Sequence, residues 1–296
     1  MLLPIKTKIM QWFGRRESDN VEEGSSSGGG RGLFFGGGIL GLIGFVIYLF
    51  TGFNPAQLLN QNQSSGQQSG QTNTRVDSTT ESSQKKFARV VLADTEDIWA
   101  KLFSDMGKTY TPPILHFYSG GVDTRGCGFA ESATGPFYCP GDQKVYLDLS
   151  FFDELQNRFG AGGDFARAYV IAHEVGHHVQ DLLGVSQKMA DARNRMSTYD
   201  YNKLSVKLEL QADFYAGVWA HYEQSMKGVI QPGDIDEALN AANQIGDDRL
   251  QQETQGRVEP DSFTHGTSAQ RQYWFKKGYE TGDINAGDTF KSGDLE

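Results

Sequence analysis

The chain has 296 residues, 27 basic and 37 acidic, and a formal charge of −10. That length suits one large domain or two small ones. No basic stripe of the kind a nucleic-acid binder needs is visible, and that class is excluded.

The first twelve residues are apolar apart from Lys6 and Lys8, which suits either a membrane surface or no fixed structure. Gly24 to Gly30 is Ser/Gly-only and is not expected to fold. Gly32 to Phe53 is an uncharged run of 22 residues. As a helix it spans about 33 Å, enough to cross a bilayer core of about 30 Å. A cleaved signal peptide is the rival, but its apolar core is usually shorter, and Thr51 to Pro55 offers no small-residue cleavage site. An uncleaved anchor is therefore expected. Arg15, Arg16 and Arg31 precede the run, and no charged residue follows it until Arg75. The positive-inside rule then keeps the N-terminus cytoplasmic and places the rest outside. Gln57 to Gln84, rich in Gln, Ser, Asn, Thr and Gly, reads as a flexible polar linker. The expected division is a cytoplasmic segment 1–31, a transmembrane helix 32–53, a linker 54–84 and an extracytoplasmic domain 85–296. Residues 1 to 84 carry six basic and six acidic groups, so the whole negative excess falls on the outer domain.

Within that domain, Lys85 to Gly107 reads as a helix or a strand–helix pair, and Ile114 to Tyr118 as a short strand. Cys127 and Cys139 can close one disulfide in an oxidising compartment. Metal ligation or free thiols are the alternatives, although a two-cysteine zinc knuckle is usually more closely spaced. Lys144 to Leu149 alternates with period two, which puts Val145, Leu147 and Leu149 towards the core. As a strand just before the next helix, it is a candidate edge for an extended peptide, or else an ordinary buried strand. Asp164 is the expected N-cap of a helix of about 19 residues that Gly184 closes. Further helices are expected at 186–196, at 201–227 with Gly228 closing it, at 234–244 from a capping box Asp234-Ile-Asp-Glu237, and at 268–278. The class is α+β, with helices outweighing a small sheet.

The 164–182 helix holds His173-Glu174-Val175-Gly176-His177-His178. On a helix, His173 and His177 project from one face one turn apart, about 5–6 Å between Cβ atoms, and can close on a single zinc ion. Glu174 stands beside them as general base towards a metal-activated water. A chance match is the bland reading, as a pair of surface histidines beside a glutamate. Gly176 costs roughly 1 kcal/mol in a helix interior and so implies a packing reason, such as a second element crossing at the metal. A catalytic zinc needs a third protein ligand. Glu209 is the candidate, with Asp213 on the same face to accept a hydrogen bond from a ligating histidine. Two solvated acids on an amphipathic helix are the alternative. His116, His178 and His221 have no partner pattern and read as structural or surface residues.

His173-Glu174-x-x-His177 followed by Glu209-x-x-Ala212-Asp213 resembles the gluzincin arrangement, in which a glutamate is the third ligand. Phe263-Thr264-His265-Gly266-Thr267-Ser268-Ala269-Gln270-Arg271 is similar to the Thr-His-Pro-Pro-x-x-x-Arg segment of membrane gluzincins, with Gly266 and Thr267 in place of the prolines. More closely, the chain resembles a bacterial family of neutral zinc metallopeptidases. The likeness rests on Arg15 to Glu22, Tyr138-Cys139-Pro140, Val145 to Asp148 and the three segments above, and runs from about Phe13 to about Phe290. It implies a zincin-like, membrane-anchored peptidase with one zinc per chain, acting on peptide or protein substrates. His265 is then the candidate donor to the oxyanion, with Arg271 either assisting or pairing with Asp213. Similar chains carry extra cysteines near the positions of Phe214 and Gly287, so a second bridge is absent here. Two other readings compete: a membrane-tethered zinc protein that binds or assembles without turnover, and a zinc amidase acting on cell-wall material. Intact Glu174 argues against the first, and the peptide-like edge strand argues against the second.

Overall fold

A computed structural model describes residues 10–24 and 78–291. Eight α-helices of eight residues or more are among them: α1 Ser78–Asp105, α2 Ser150–Asn157, α3 Asp164–Leu182, α4 Val185–Arg193, α5 Thr198–Tyr222, α6 Asp234–Gln244, α7 Asp247–Gln255 and α8 Ser268–Thr281. The strands are β1 Val21–Glu23, β2 Ile114–Tyr118, β3 Gly121–Thr124, β4 Gly128–Glu131, β5 Phe137–Cys139 and β6 Lys144–Asp148. The expected α+β class, mainly helical with a small sheet, is what the chain adopts.

The main sheet runs β1-β2-β6-β5, with the first three strands parallel and β5 antiparallel to β6. β6 is therefore internal, paired on both sides, and every residue from Val145 to Asp148 is buried. This corrects the reading of 144–149 as the edge. The edge beside the central helix is β5. β3 and β4 form a separate hairpin, and Cys127 at its turn is bonded to Cys139 of β5, S–S 2.02 Å. The expected disulfide is present.

α3 is apolar almost all round, from Phe165 through Tyr169, Val170 and Ile171 to Val175 and Val179. A helix of that pattern belongs inside a protein, and these side chains are buried. Its N-terminus differs from expectation. Gly163, not Asp164, is the N-cap, and the Phe165 N–H is met by Glu237 Oε2 at 3.0 Å from across the fold. Glu237 therefore does not close a capping box on its own helix, whose N-cap is Gly233. Gly184, left-handed at φ 79°, ends α3 as its spacing implies.

Two close crossings set the architecture of the site. A Cβ on Gly176 of α3 would stand 3.0 Å from the Ala212 carbonyl oxygen of α5, which is the packing reason its presence implied. α5 then meets α8 glycine to glycine. A Cβ on Gly217 would lie 2.0 Å from Phe275 O, and one on Gly278 would lie 2.1 Å from Phe214 O. Backbones this close leave room for no side chain, and they let Arg271 of α8 reach Asp213 of α5, which also bonds His173 of α3.

Residues 10–24 correct the expected division of the chain. Met10 and Trp12 are buried in the main core, and the Trp12 indole N–H donates to Asp164 Oδ2 at 2.9 Å. Arg15 bridges Asp94 (2.7 Å) and Glu223 (2.9 Å), and Arg16 pairs with Glu96 and Asp97 of α1. Ser18 and Asn20 donate to the same Glu96 oxygen. β1 then joins the sheet beside β2. Residues 10–24 are therefore packed as part of the same body as the domain. Arg15 and Arg16, read as topology signals, serve here as ion-pair partners. The expected linker boundary also moves, because α1 begins at Ser78 rather than after residue 84. Residues 32–53, expected to cross a membrane, lie outside the described residues. Among the described helices none is long and apolar enough to cross one.

Candidate metal centre

His173 and His177 face the same way one turn apart in the middle of α3, with ring centroids 4.9 Å apart. The crossing at Gly176 brings α5 alongside and places Glu209 between them. His173 Nε2 is 3.2 Å from Glu209 Oε2, and His177 Nε2 is 3.5 Å from Glu209 Oε1. One ligand atom from each of the three lies within 4.8 Å of the others. A tetrahedral zinc with bonds of about 2.0–2.1 Å spaces its donors about 3.3 Å apart, so the trio fits such an ion. Both rings turn Nε2 inward because Nδ1 is engaged elsewhere. His173 Nδ1–H donates to Asp213 Oδ1 and His177 Nδ1–H to Gln180 Oε1, each at 2.8 Å.

The charges match a cation. Burial opposes protonation of His173, yet Asp213 and Glu209 outweigh it and raise its pKa to about 10. Burial would likewise raise Glu209, but His177 and His173 hold it well below the usual carboxylate range. Asp213 resists its own burial through Arg271 and His173 and is lowered to about 2. Arg271 Nε and Nη2 fork onto the two Asp213 oxygens at 2.8 and 3.0 Å, Nη1 donates to Ile245 O, and Tyr169 OH donates to Asp213 Oδ1. Of the two roles expected of Arg271, the structure provides the pairing with Asp213.

Glu174 is buried beside the trio, and burial raises its pKa against the lowering effect of His173, His177 and the Tyr138 backbone N–H. His265 lines the same cavity. Its Nδ1–H donates to Asp247 Oδ1 at 3.0 Å, which leaves Nε2 as the nitrogen available to the cavity. Asp247 Oδ2 also accepts the backbone N–H groups of Thr264, His265 and Gly266. One buried carboxylate thus shapes the whole turn. Burial works against a charged His265, but Asp247 and Glu209 raise its pKa.

Asp247 and Gln180 are the site residues that sequence reasoning missed. An acid in the first turn of a helix ordinarily complements the helix dipole, so Asp247 gave no distinct signal. Gln180, three residues after His177, could have been found from the helical spacing alone. The histidines without a partner pattern are structural as expected. Buried His178 bonds Thr111 O at 2.7 Å, His221 bonds Tyr279 O at 2.8 Å, and His116 sits beside Glu22.

The cavity above the trio has a volume of about 100 Å³. Away from the metal ligands its wall is apolar, made by Phe137 of β5 and by Phe151, Phe159, Val170, Ile245 and Leu250.

Two crossing helices that offer a His–His–Glu trio, buried at His173 and Glu209 and half-buried at His177, with a carboxylate next to the first histidine, define a candidate zinc centre of the His-Glu-x-x-His class. The chain belongs to the family described as "Putative neutral zinc metallopeptidase", whose family model matches residues 10–290. That match takes in the docked N-terminal segment. The chain is 51% identical over 287 residues to "Uncharacterized protein YpfJ" of Escherichia coli K12, covering 95% of this chain and 99% of that protein. It is also 50% identical over 196 residues to "Uncharacterized protein Rv2575" of Mycobacterium tuberculosis H37Rv, covering 63% of this chain and 65% of the relative. No solved structure matches the chain.

Proposed function

We propose that the protein is a zinc-dependent peptidase with a zincin-like catalytic domain, in which His173, His177 and Glu209 hold the metal. The observation that carries this reading is Glu174. A carboxylate buried beside three ligand groups, with its pKa raised by burial, is costly to keep and is typical of a catalytic base. Bound at the trio, zinc would act as a Lewis acid and lower the pKa of a water towards 7. Glu174 takes a proton from the attacking water and delivers it to the leaving amine. His265, held by Asp247, donates to the oxygen that gains charge as the carbonyl carbon becomes tetrahedral. Asp213 and Arg271 keep the His173 ring fixed and its Nδ1 protonated.

β5, the last strand of the main sheet among the described residues, suits an extended peptide added beside it as a further strand. Its Phe137 and Tyr138 line the cavity, and the apolar wall beyond favours a residue with an uncharged side chain next to the scissile bond. Arg271, committed to Asp213, offers no counter-charge for an acidic one. The test is cleavage of a peptide library by the zinc-loaded protein. Cleavage beside aliphatic or aromatic residues is expected, and none by the Glu174→Gln variant. Library cleavage by that variant at the wild-type rate would overturn the assignment.

A further inference from the structure

His177 has no carboxylate on its outer nitrogen, unlike His173, and the groups that replace one form a directed chain. An amide side chain can be placed either way round, so its orientation must be read from its partners. Gln211 Nε2 lies 2.9 Å from Gly287 O, a carbonyl that can only accept. Gln211 must therefore turn Oε1 towards Gln180, whose Nε2 lies 3.1 Å away. Gln180 Nε2 also meets Leu208 O at 2.7 Å, again an acceptor only. That leaves Gln180 Oε1 facing His177 Nδ1 at 2.8 Å, so the ring must carry a hydrogen on Nδ1, and Nε2 is the nitrogen turned to the trio. Gln180 and Gln211 are both buried, which shields the chain from competing water.

The far end is anchored by the residues after α8. The turn Ile284–Gly287 lays Gly287 against the Phe214 ring so closely that a Cβ there would stand 2.2 Å from a ring carbon. Thr289 Oγ1 donates to Lys207 O at 2.6 Å and fixes the next residues on α5.

We propose that Gln180 and Gln211 are positioning residues of the metal centre, an amide relay through which the main-chain carbonyls of Leu208 and Gly287 set the tautomer of His177. The proposal rests on the reading of His177 as a ligand. A neutral relay orients the ring without adding a further negative charge beside Glu209 and Asp213, so the two histidines are held by different means. Outer partners of this kind change metal affinity by roughly 10–100-fold when removed.

The experiment uses the full chain and zinc itself, with affinity read by chelator competition and the ring nitrogens read by ¹⁵N NMR of the histidines. Gln180→Leu is expected to weaken zinc binding roughly 10–100-fold and to let His177 populate both tautomers. Gln180→Glu, which keeps an acceptor facing Nδ1, recovers most of the affinity. Gln211→Leu, one link further out, weakens binding less than Gln180→Leu and serves as the test if Gln180→Leu does not fold. Wild-type affinity and an unchanged Nδ1–H signal in folded Gln180→Leu, or in Gln211→Leu where only that variant folds, would overturn the relay. His177→Ala separates the two levels. If it loses zinc while the glutamine variants do not, only the relay falls; if it keeps wild-type affinity, the ligand reading falls with it.

Discussion

His265 and Asp247 show how much of the proposed chemistry depends on a group that contributes only orientation. Asp247 holds three backbone N–H groups and the ring of His265 at once. Removing a donor that acts on developing charge typically costs about 10²–10³ in kcat. His265→Ala should show that loss with KM little changed, as measured by steady-state peptide hydrolysis. Because Asp247 raises the His265 pKa against burial, the ring keeps its proton to higher pH than an ordinary histidine. Asp247→Asn should therefore move the alkaline limb of kcat/KM to lower pH; an unmoved limb would count against a protonated His265. At this scale the sequence was readable where spacing is local. His173, Glu174 and His177 share one helix face, and Glu209 and Asp213 another. The partnership of Asp247 with His265 spans 18 residues and a turn, and nothing in either residue's neighbours announces it.

The elements were legible to the extent that periodicity or a glycine marked them. α3, β2 and the closing glycine Gly228, which ends the π-helical turn Glu223–Lys227 after α5, stand where the pattern placed them. The order of the strands did not follow, because two strands with similar alternation give no sign of which is internal. The apposition of Gly217 and Gly278 was equally hidden, since each looks like an isolated helix glycine until the helices cross. The N-terminal segment was misread for a physical reason: arginines before an apolar run look the same whether they face a membrane or four carboxylates. Its docking gives two predictions. Trp12 is buried against Phe87 and hydrogen-bonded to the start of α3, so Trp12→Ala should cost about 3 kcal/mol or more of stability, seen in denaturant melts. Burial and the neighbouring Asp94 raise the Glu223 pKa from 4.5 to about 7. Between those two values the folded chain holds a proton that the unfolded chain has released, so stability falls as pH rises through that window. Glu223→Gln removes this loss. Its melting temperature relative to wild type should rise between pH 5 and pH 8, and a constant difference would refute the account.

For the whole molecule, the parallel pairing of β1 with β2 ties both ends of the described chain to one body. Reporter tags at residue 1 and residue 296 should therefore be equally accessible from one side of a membrane preparation; opposite accessibility would contradict the fold. A metal that binds only the folded state also stabilises it by mass action, so chelation should lower the melting temperature of wild type and leave that of His173→Ala unchanged. The central claim is that Glu174 performs hydrolysis at a metal held by His173, His177 and Glu209. The most direct measurement compares zinc content and peptide cleavage of wild type and Glu174→Gln, purified side by side. Equal zinc, about one per chain, with cleavage by wild type alone is the predicted result; equal cleavage by both proteins would contradict it.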